Sequence, residues 1–173
     1  LGASTVLGTT LRHAIASHLP VVVVTTDALA DVARRYVASR DVVILPAVGT
    51  GSQPLGMGYS ISTGVAARPD ATGWLVLPGD LPLVKPESLL AVAAALDRHS
   101  VVLPMYKGER GHPVGFGVAC REELLQVQGA LGAQPVVRMV ATESIGDAIA
   151  DAAVEDLIRS IGELIARSDA GAS

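Results

Sequence analysis

Residues 73–84, GWLVLPGDLPLV, run from a continuous apolar stretch into a stiff turn that presents one carboxylate, Asp80, between Pro78-Gly79 and Pro82. With Thr72 included, residues 72–80 read as a buried strand. The segment that follows, 85–99 (KPESLLAVAAALDRH), reads as a helix with Pro86 at its first turn, where the missing N–H costs nothing. Strand, acid-bearing turn and helix make one unit of an alternating pattern.

The pattern extends both ways. Residues 4–17 place Leu7, Leu11, Ala14 and Ile15 near a helical period, with Ser4 or Thr5 as caps. PVVVVTT (20–26) and DVVILPA (41–47) are β-branched runs of the kind buried on both faces of a parallel sheet. Between them Asp27 caps a helix over 28–39. A Gly-rich loop over 48–58 leads to a helix over 59–67. Strands are predicted at 100–106 and 112–119, and helices at 121–131 and 153–167. The last is amphipathic, with Leu157, Ile158, Ile161, Leu164 and Ile165 on one face, and 168–173 reads as a frayed end. Alternating strands and helices predict an α/β fold with a doubly wound, mostly parallel sheet.

Composition narrows the function. Half of the 173 residues are apolar and only 3% are aromatic, so the core is aliphatic. Mean hydropathy is +0.46, yet no apolar run approaches the ~20 residues of a membrane span. A net charge of −4 argues against electrostatic binding of nucleic acid. The single cysteine, Cys120, excludes internal disulfides and CxxC metal sites, and reads as a packed apolar side chain. No secretory pattern is evident, and the expectation is a cytoplasmic protein.

Open α/β sheets bind ligands beyond the carboxyl ends of their strands. The candidates are therefore Thr25, Thr26 and Asp27; Pro46 and the loop after it; and Gly79, Asp80 and Pro82. Asp80 suits a hard cation such as Mg²⁺, which takes one or two carboxylates plus substrate phosphates. The same residue also suits an Asx-type turn onto its own backbone. The Gly-rich loop either lets the backbone approach a phosphate or is simply flexible; it is neither a P-loop nor a GxGxxG fingerprint. His112, between Gly111 and Pro113 at a strand entrance, is either a pocket residue or a structural hydrogen-bonder. Lys107, Glu109 and Arg110 read as a solvated turn, and His13, His18 and His99 as structural or surface residues.

TVLGTTLRHAIASHLPVVVVTTD, LGMGYSISTGVAA, GWLVLPGDLPLVKPESL and GERGHPVGFG occur in an order that resembles the MobA-like nucleotidyltransferases over residues 3–167. The GHPV segment resembles the molybdenum cofactor cytidylyltransferase branch. The resemblance implies a single three-layer, Rossmann-like nucleotidyltransferase domain over 1–173. It implies Mg²⁺-dependent transfer of CMP or GMP from CTP or GTP to molybdopterin or molybdenum cofactor, with release of pyrophosphate. Asp80 would be a metal ligand, and His112 a second catalytic residue. Gly56, Gly58 and Ser60 would form the nucleotide and cofactor pocket, together with Thr26, Gly79 and Pro82. Gly111, His112 and Pro113 would line the cofactor side. A target molybdoenzyme is the implied protein partner.

Two departures accompany the resemblance. The family opens with a strand and a loop, LAAGxSxRxG followed by Lys, that cradles the triphosphate. The expectation is that this segment precedes Leu1 in the intact protein and is needed for catalysis. Near the C-terminus the family pattern DIDTxxDL becomes ADAAVEDL (150–157), with Ala150 and Ala152 where acids are expected; either Asp151 is the substitute metal ligand, with a shifted backbone, or the site has lost a ligand. The alternative function is a non-catalytic chaperone or regulator that handles molybdenum cofactor for a molybdoenzyme.

Overall fold

In a computed structural model of the chain, the structure describes residues 3–47, 55–106, 109–129 and 132–136. Asp151, the predicted helix over 153–167 and most of the Gly-rich loop lie outside the described residues.

Helix α1 (Ala3–Ala16) leads to strand β1 (Val23–Thr25), helix α2 (Asp27–Arg34) and strand β2 (Val42–Ile44). Helix α3 (Gly56–Ala66), strand β3 (Gly73–Val76) and helix α4 (Pro86–Ala95) follow. Strands β4 (Val101–Val102), β5 (Met105–Tyr106), β6 (Glu109–Arg110) and β7 (Val114–Gly117) precede helix α5 (Arg121–Gln126). The chain is thus α/β, and Pro86 stands at the start of α4 as expected. Among the described residues no helix is long and apolar enough to cross a membrane.

The expected parallel pairing holds for β1 and β2, where Val23 faces Val42 and Thr25 faces Ile44. Both strands are shorter than predicted. A 3₁₀ turn over Ser39–Asp41 delays the start of β2, so residues 20–22 have, among the described residues, no partner strand. Burial on both faces is also not general: Ile44 is exposed, whereas all four residues of β7 are buried.

The remaining strands depart from the parallel pattern. β7 lies between β3 and β4 and runs antiparallel to both. The predicted strand over 100–106 is cut at Pro104, which has no N–H to give a ladder. β4 therefore pairs with β7, while β5 pairs with β6 in a separate hairpin.

Two cores hold these parts. One gathers Ile61 and Val65 of α3, Trp74 of β3, Val114 and Phe116 of β7, and Leu124 of α5. The Arg121 guanidinium stacks over the Trp74 ring, 5.6 Å from its centroid. The other core joins Leu7 and Leu11 of α1 to Val23 and Ala33. α1 also packs on α4, and α4 in turn covers β3 and β7. That last contact is close: a Cβ on Gly115 would stand 2.7 Å from Val92 Cγ1.

Candidate active site

The antiparallel register decides which residues meet. Val76, the last residue of β3, is paired with Val114, the first of β7. The chain leaving β3 toward Asp80 therefore runs beside the chain entering β7 through His112 and Pro113. A parallel β7 would have put His112 at the opposite edge of the sheet. The encounter is electrostatic as well as topological. Burial holds the His112 imidazole below its usual range, and the nearby Asp80 carboxylate pulls partly the other way. Desolvation dominates because it penalises the imidazolium directly, while an exposed carboxylate acts through water.

Asp80 is exposed, but the turn carrying it is tied down on both sides. Before it, Gly79 lies against α1, where a Cβ would come within 2.9 Å of Leu7 Cδ1. After it, the Val84 N–H donates to the Leu81 carbonyl at 3.3 Å. The Val84 carbonyl in turn accepts from His13 Nδ1 of α1 at 3.0 Å. Pro82 is half-buried within this span, and Leu83 is held outward with 88% of its surface exposed. His13 had no local pattern to mark it, because its partner lies 71 positions along the chain.

The other flank is set by Gly111 and Pro113. The Gly111 N–H donates to the Pro104 carbonyl at 2.9 Å, and Pro113 is fully buried behind a cis peptide bond from His112. Among the described residues a Cβ on Gly111 would meet only ordinary contacts, the nearest being Pro104 Cγ at 3.5 Å.

Gly56 and Gly58 are not loop residues, as the Gly-rich composition suggested, but belong to the first turn of α3. Gly56 has φ of 79°, which a side chain would resist, and it swings the chain into the helix. Gly58 is pressed onto the 127–129 segment: its Cβ position lies 2.6 Å from the Gln128 carbonyl carbon, and its N–H donates to the Gly129 carbonyl at 2.9 Å. The described contacts tie this turn to the 127–129 segment rather than to Asp80. Ser60 is half-buried one turn further on. Thr26 is exposed at the start of α2, and its hydroxyl makes no cap hydrogen bond.

The geometry thus joins Asp80, Gly79 and Pro82 to Gly111, His112 and Pro113, and leaves Thr26, Gly56, Gly58 and Ser60 on separate elements. Among the described residues no group of three or more His, Cys, Asp or Glu side chains forms a ready cation cage.

The arrangement is an α/β fold presenting one acid at a strand end. Residues 1–147 match the profile of the MobA-like NTP transferase domain, and the chain belongs to that family. Among solved structures it is similar to Rv0371c from Mycobacterium tuberculosis H37Rv, with a TM-score of 0.63 and 26% identity over 77% of this chain and 68% of that one. A second structure of Rv0371c, a complex with manganese, gives a TM-score of 0.61 with 26% identity, covering 78% and 70% of the two chains. Curated relatives include the bifunctional protein GlmU of Xanthomonas oryzae pv. oryzae (strain MAFF 311018), 37% identical over 70 residues. GlmU of Xanthomonas euvesicatoria pv. vesicatoria (strain 85-10) matches to the same extent. That match takes in 40% of this chain but only 14% of GlmU's length.

Proposed function

We propose that this chain carries the nucleotidyl-transfer site of a Mg²⁺-dependent enzyme that moves CMP or GMP from the triphosphate to molybdopterin or molybdenum cofactor. In that reaction a terminal phosphate oxygen of the acceptor forms a bond to the α-phosphorus of the donor. The α–β anhydride bond breaks and pyrophosphate leaves. The attacking oxygen is already anionic, so the protein's task is positioning and charge neutralisation rather than proton removal. Residues 1–173 act in this reading as one three-layer domain.

The observation that carries the reading is the convergence of a tethered Asp80 with a half-buried His112 at one sheet edge, in a chain of this family. The described donors fit a cation shared with a nucleotide better than a cation held by protein alone. Asp80 contributes one exposed carboxylate, and phosphate oxygens and water would complete such a shell. Asp151 is assigned as a further ligand. The bound cation would neutralise charge on the triphosphate.

The chain's own residues divide the remaining work. Burial disfavours the charged form of His112, and its imidazole is assigned as an N–H donor to the acceptor phosphate. Gly111 and Pro113 shape the cofactor side around it. Gly58 contributes shape rather than an amide donor, since its N–H is committed to Gly129. Gly79 and Pro82 shape the nucleotide side beside Asp80, and Gly56, Ser60 and Thr26 are assigned to nucleotide contacts from their separate elements.

The test is thermal stability of the full-length product with CTP, GTP, ATP and UTP, with and without Mg²⁺, for the native chain and Asp80→Asn. A ligand specific for the folded state adds about 2.7 kcal/mol at a hundred times its Kd. A Mg²⁺-dependent upward shift with one nucleotide, lost in Asp80→Asn, is expected. Absence of a shift with every nucleotide overturns the reading. If a pterin cofactor alone still stabilises the protein, the function becomes cofactor handling.

A further inference from the structure

We propose that His13 is a positioning residue for the reaction proposed above, holding the Asp80 turn in register through the Val84 carbonyl. The inference rests on that functional reading, but its observations are independent of it.

The turn from Leu77 to Lys85 carries a functional acid on a segment outside both helix and strand. Asp80 itself is exposed, so its own packing does not fix where its oxygens point. The fixing comes from α1, at two places. Leu7 fills the space that a side chain at position 79 would need. Six residues later on the same helix, His13 Nδ1 lies 3.0 Å from the Val84 oxygen. The acceptor is a carbonyl, so Nδ1 carries the proton in this bond. The internal Val84-to-Leu81 bond closes the loop between the two anchors. Asp80 is thereby referred to a helix whose own place is set by Leu7 and Leu11 in a buried core.

A group that orients a cation's carboxylate acts on the affinity of the folded protein for that cation. A group that only supports folding changes the amount of folded protein and leaves the affinity of each folded molecule unchanged. The experiment therefore measures binding of Mn²⁺ with CTP, and separately with GTP, by electron paramagnetic resonance. The chains compared are native, His13→Leu, His13→Asn and Asp80→Asn, all full length and confirmed as folded by circular dichroism. Asn places an amide N–H close to where Nδ1–H stands.

His13→Leu is expected to weaken Mn²⁺-nucleotide binding about ten-fold, the scale of one lost hydrogen bond, which is about 1.4 kcal/mol. His13→Asn should restore binding to within about two-fold, a difference below half a kilocalorie. Hydrogen exchange of peptides spanning 77–85 should accelerate in His13→Leu and not in His13→Asn. If His13→Leu does not fold, His13→Ala serves the same comparison without the bulk. Unchanged affinity in the folded His13→Leu or His13→Ala protein, with Asp80→Asn still disrupting binding, overturns the role of His13 and leaves the functional reading intact. Failure of the native chain to bind Mn²⁺ with either nucleotide overturns both.

Discussion

Replacing Gly58 by alanine tests how α3 is seated at the candidate site. In an ordinary helix this change is favourable by about 1 kcal/mol, because glycine loses more backbone freedom on folding. Here the added methyl would stand 2.6 Å from the Gln128 carbonyl carbon and 2.8 Å from its Cα and N. These are backbone atoms, so no side-chain rotation relieves the clash. Overpacking of this kind costs about 1–3 kcal/mol. The Gly58-to-Gly129 hydrogen bond, 2.9 Å in the native chain, is stretched as the segments part, at a further cost of about 0.5–1.5 kcal/mol. The net expectation is destabilisation of about 2 kcal/mol, or about 4–8 °C in Tm for a chain of this size. Gly64→Ala in the same helix is the control. Among the described residues its methyl meets only the Val24 side chain, at 3.3 Å, a tight contact that a side chain can relieve by shifting a few tenths of an ångström, where the backbone facing Gly58 cannot. Urea unfolding of the two variants should give opposite signs, or at least values separated by about 2 kcal/mol. If Gly58→Ala is as stable as Gly64→Ala, α3 does not rest on residues 127–129 as described, and the shape role of Gly58 at the site falls with it.

Leu124→Ala, at a fully buried position of the larger core, should cost about 2–5 kcal/mol by urea midpoint, and a cost under 1 kcal/mol would contradict that burial. His112 is half-buried with its pKa lowered by that burial, so the unfolded chain takes up its proton first as pH falls. Stability should therefore be full above the ordinary imidazole value and fall as pH drops from there through the lower folded value. His112→Gln should flatten that slope in thermal scans from pH 8 to 5, and an unchanged slope would refute burial as the cause. Asp80→Asn removes the charge that raises the His112 pKa, so NMR titration of the ring should show a lower pKa in the variant; a higher one would mean that the two groups do not face each other.

Much of the scaffold was legible because local physics set it. Leu7 and Leu11 recur at a helical period and are buried in α1, and Pro86 starts α4 where its ring is tolerated. The acid-bearing turn after β3 was legible from its prolines and glycine. Other features depended on distant partners. Gly56 and Gly58 read as loop because glycine disfavours helix, yet Ile61 and Val65 draw the segment into the core as α3. The His13 tether joins residues far apart in sequence and left no periodic trace. The direction of β7 had a signal that the alternation argument passed over. Residues 103–113 are interrupted by Pro104 and contain no helical period, whereas a parallel crossover needs a dozen or more residues and usually a helix.

That reversed strand explains why a site can form here at all. In a wholly parallel sheet only loops following strands gather at the carboxyl edge. Inserting β7 antiparallel between β3 and β4 brings the loop that precedes a strand to the same edge, so Gly111, His112 and Pro113 join Asp80. The two halves are then anchored in different cores. His112 moves with β7, whose residues are all buried, Val114 and Phe116 in one core with Trp74 and Gly115 against Val92 of α4. Asp80 follows α1, through Leu7 and His13. Changes in α1 should therefore displace the acid relative to the imidazole, while changes in the larger core should move the imidazole and leave the acid's tether in place. A loss of Mn²⁺-nucleotide affinity in His13→Leu without a change in the His112 titration would be the signature of that division. Equal disturbance of both groups would mean that the two cores move as one.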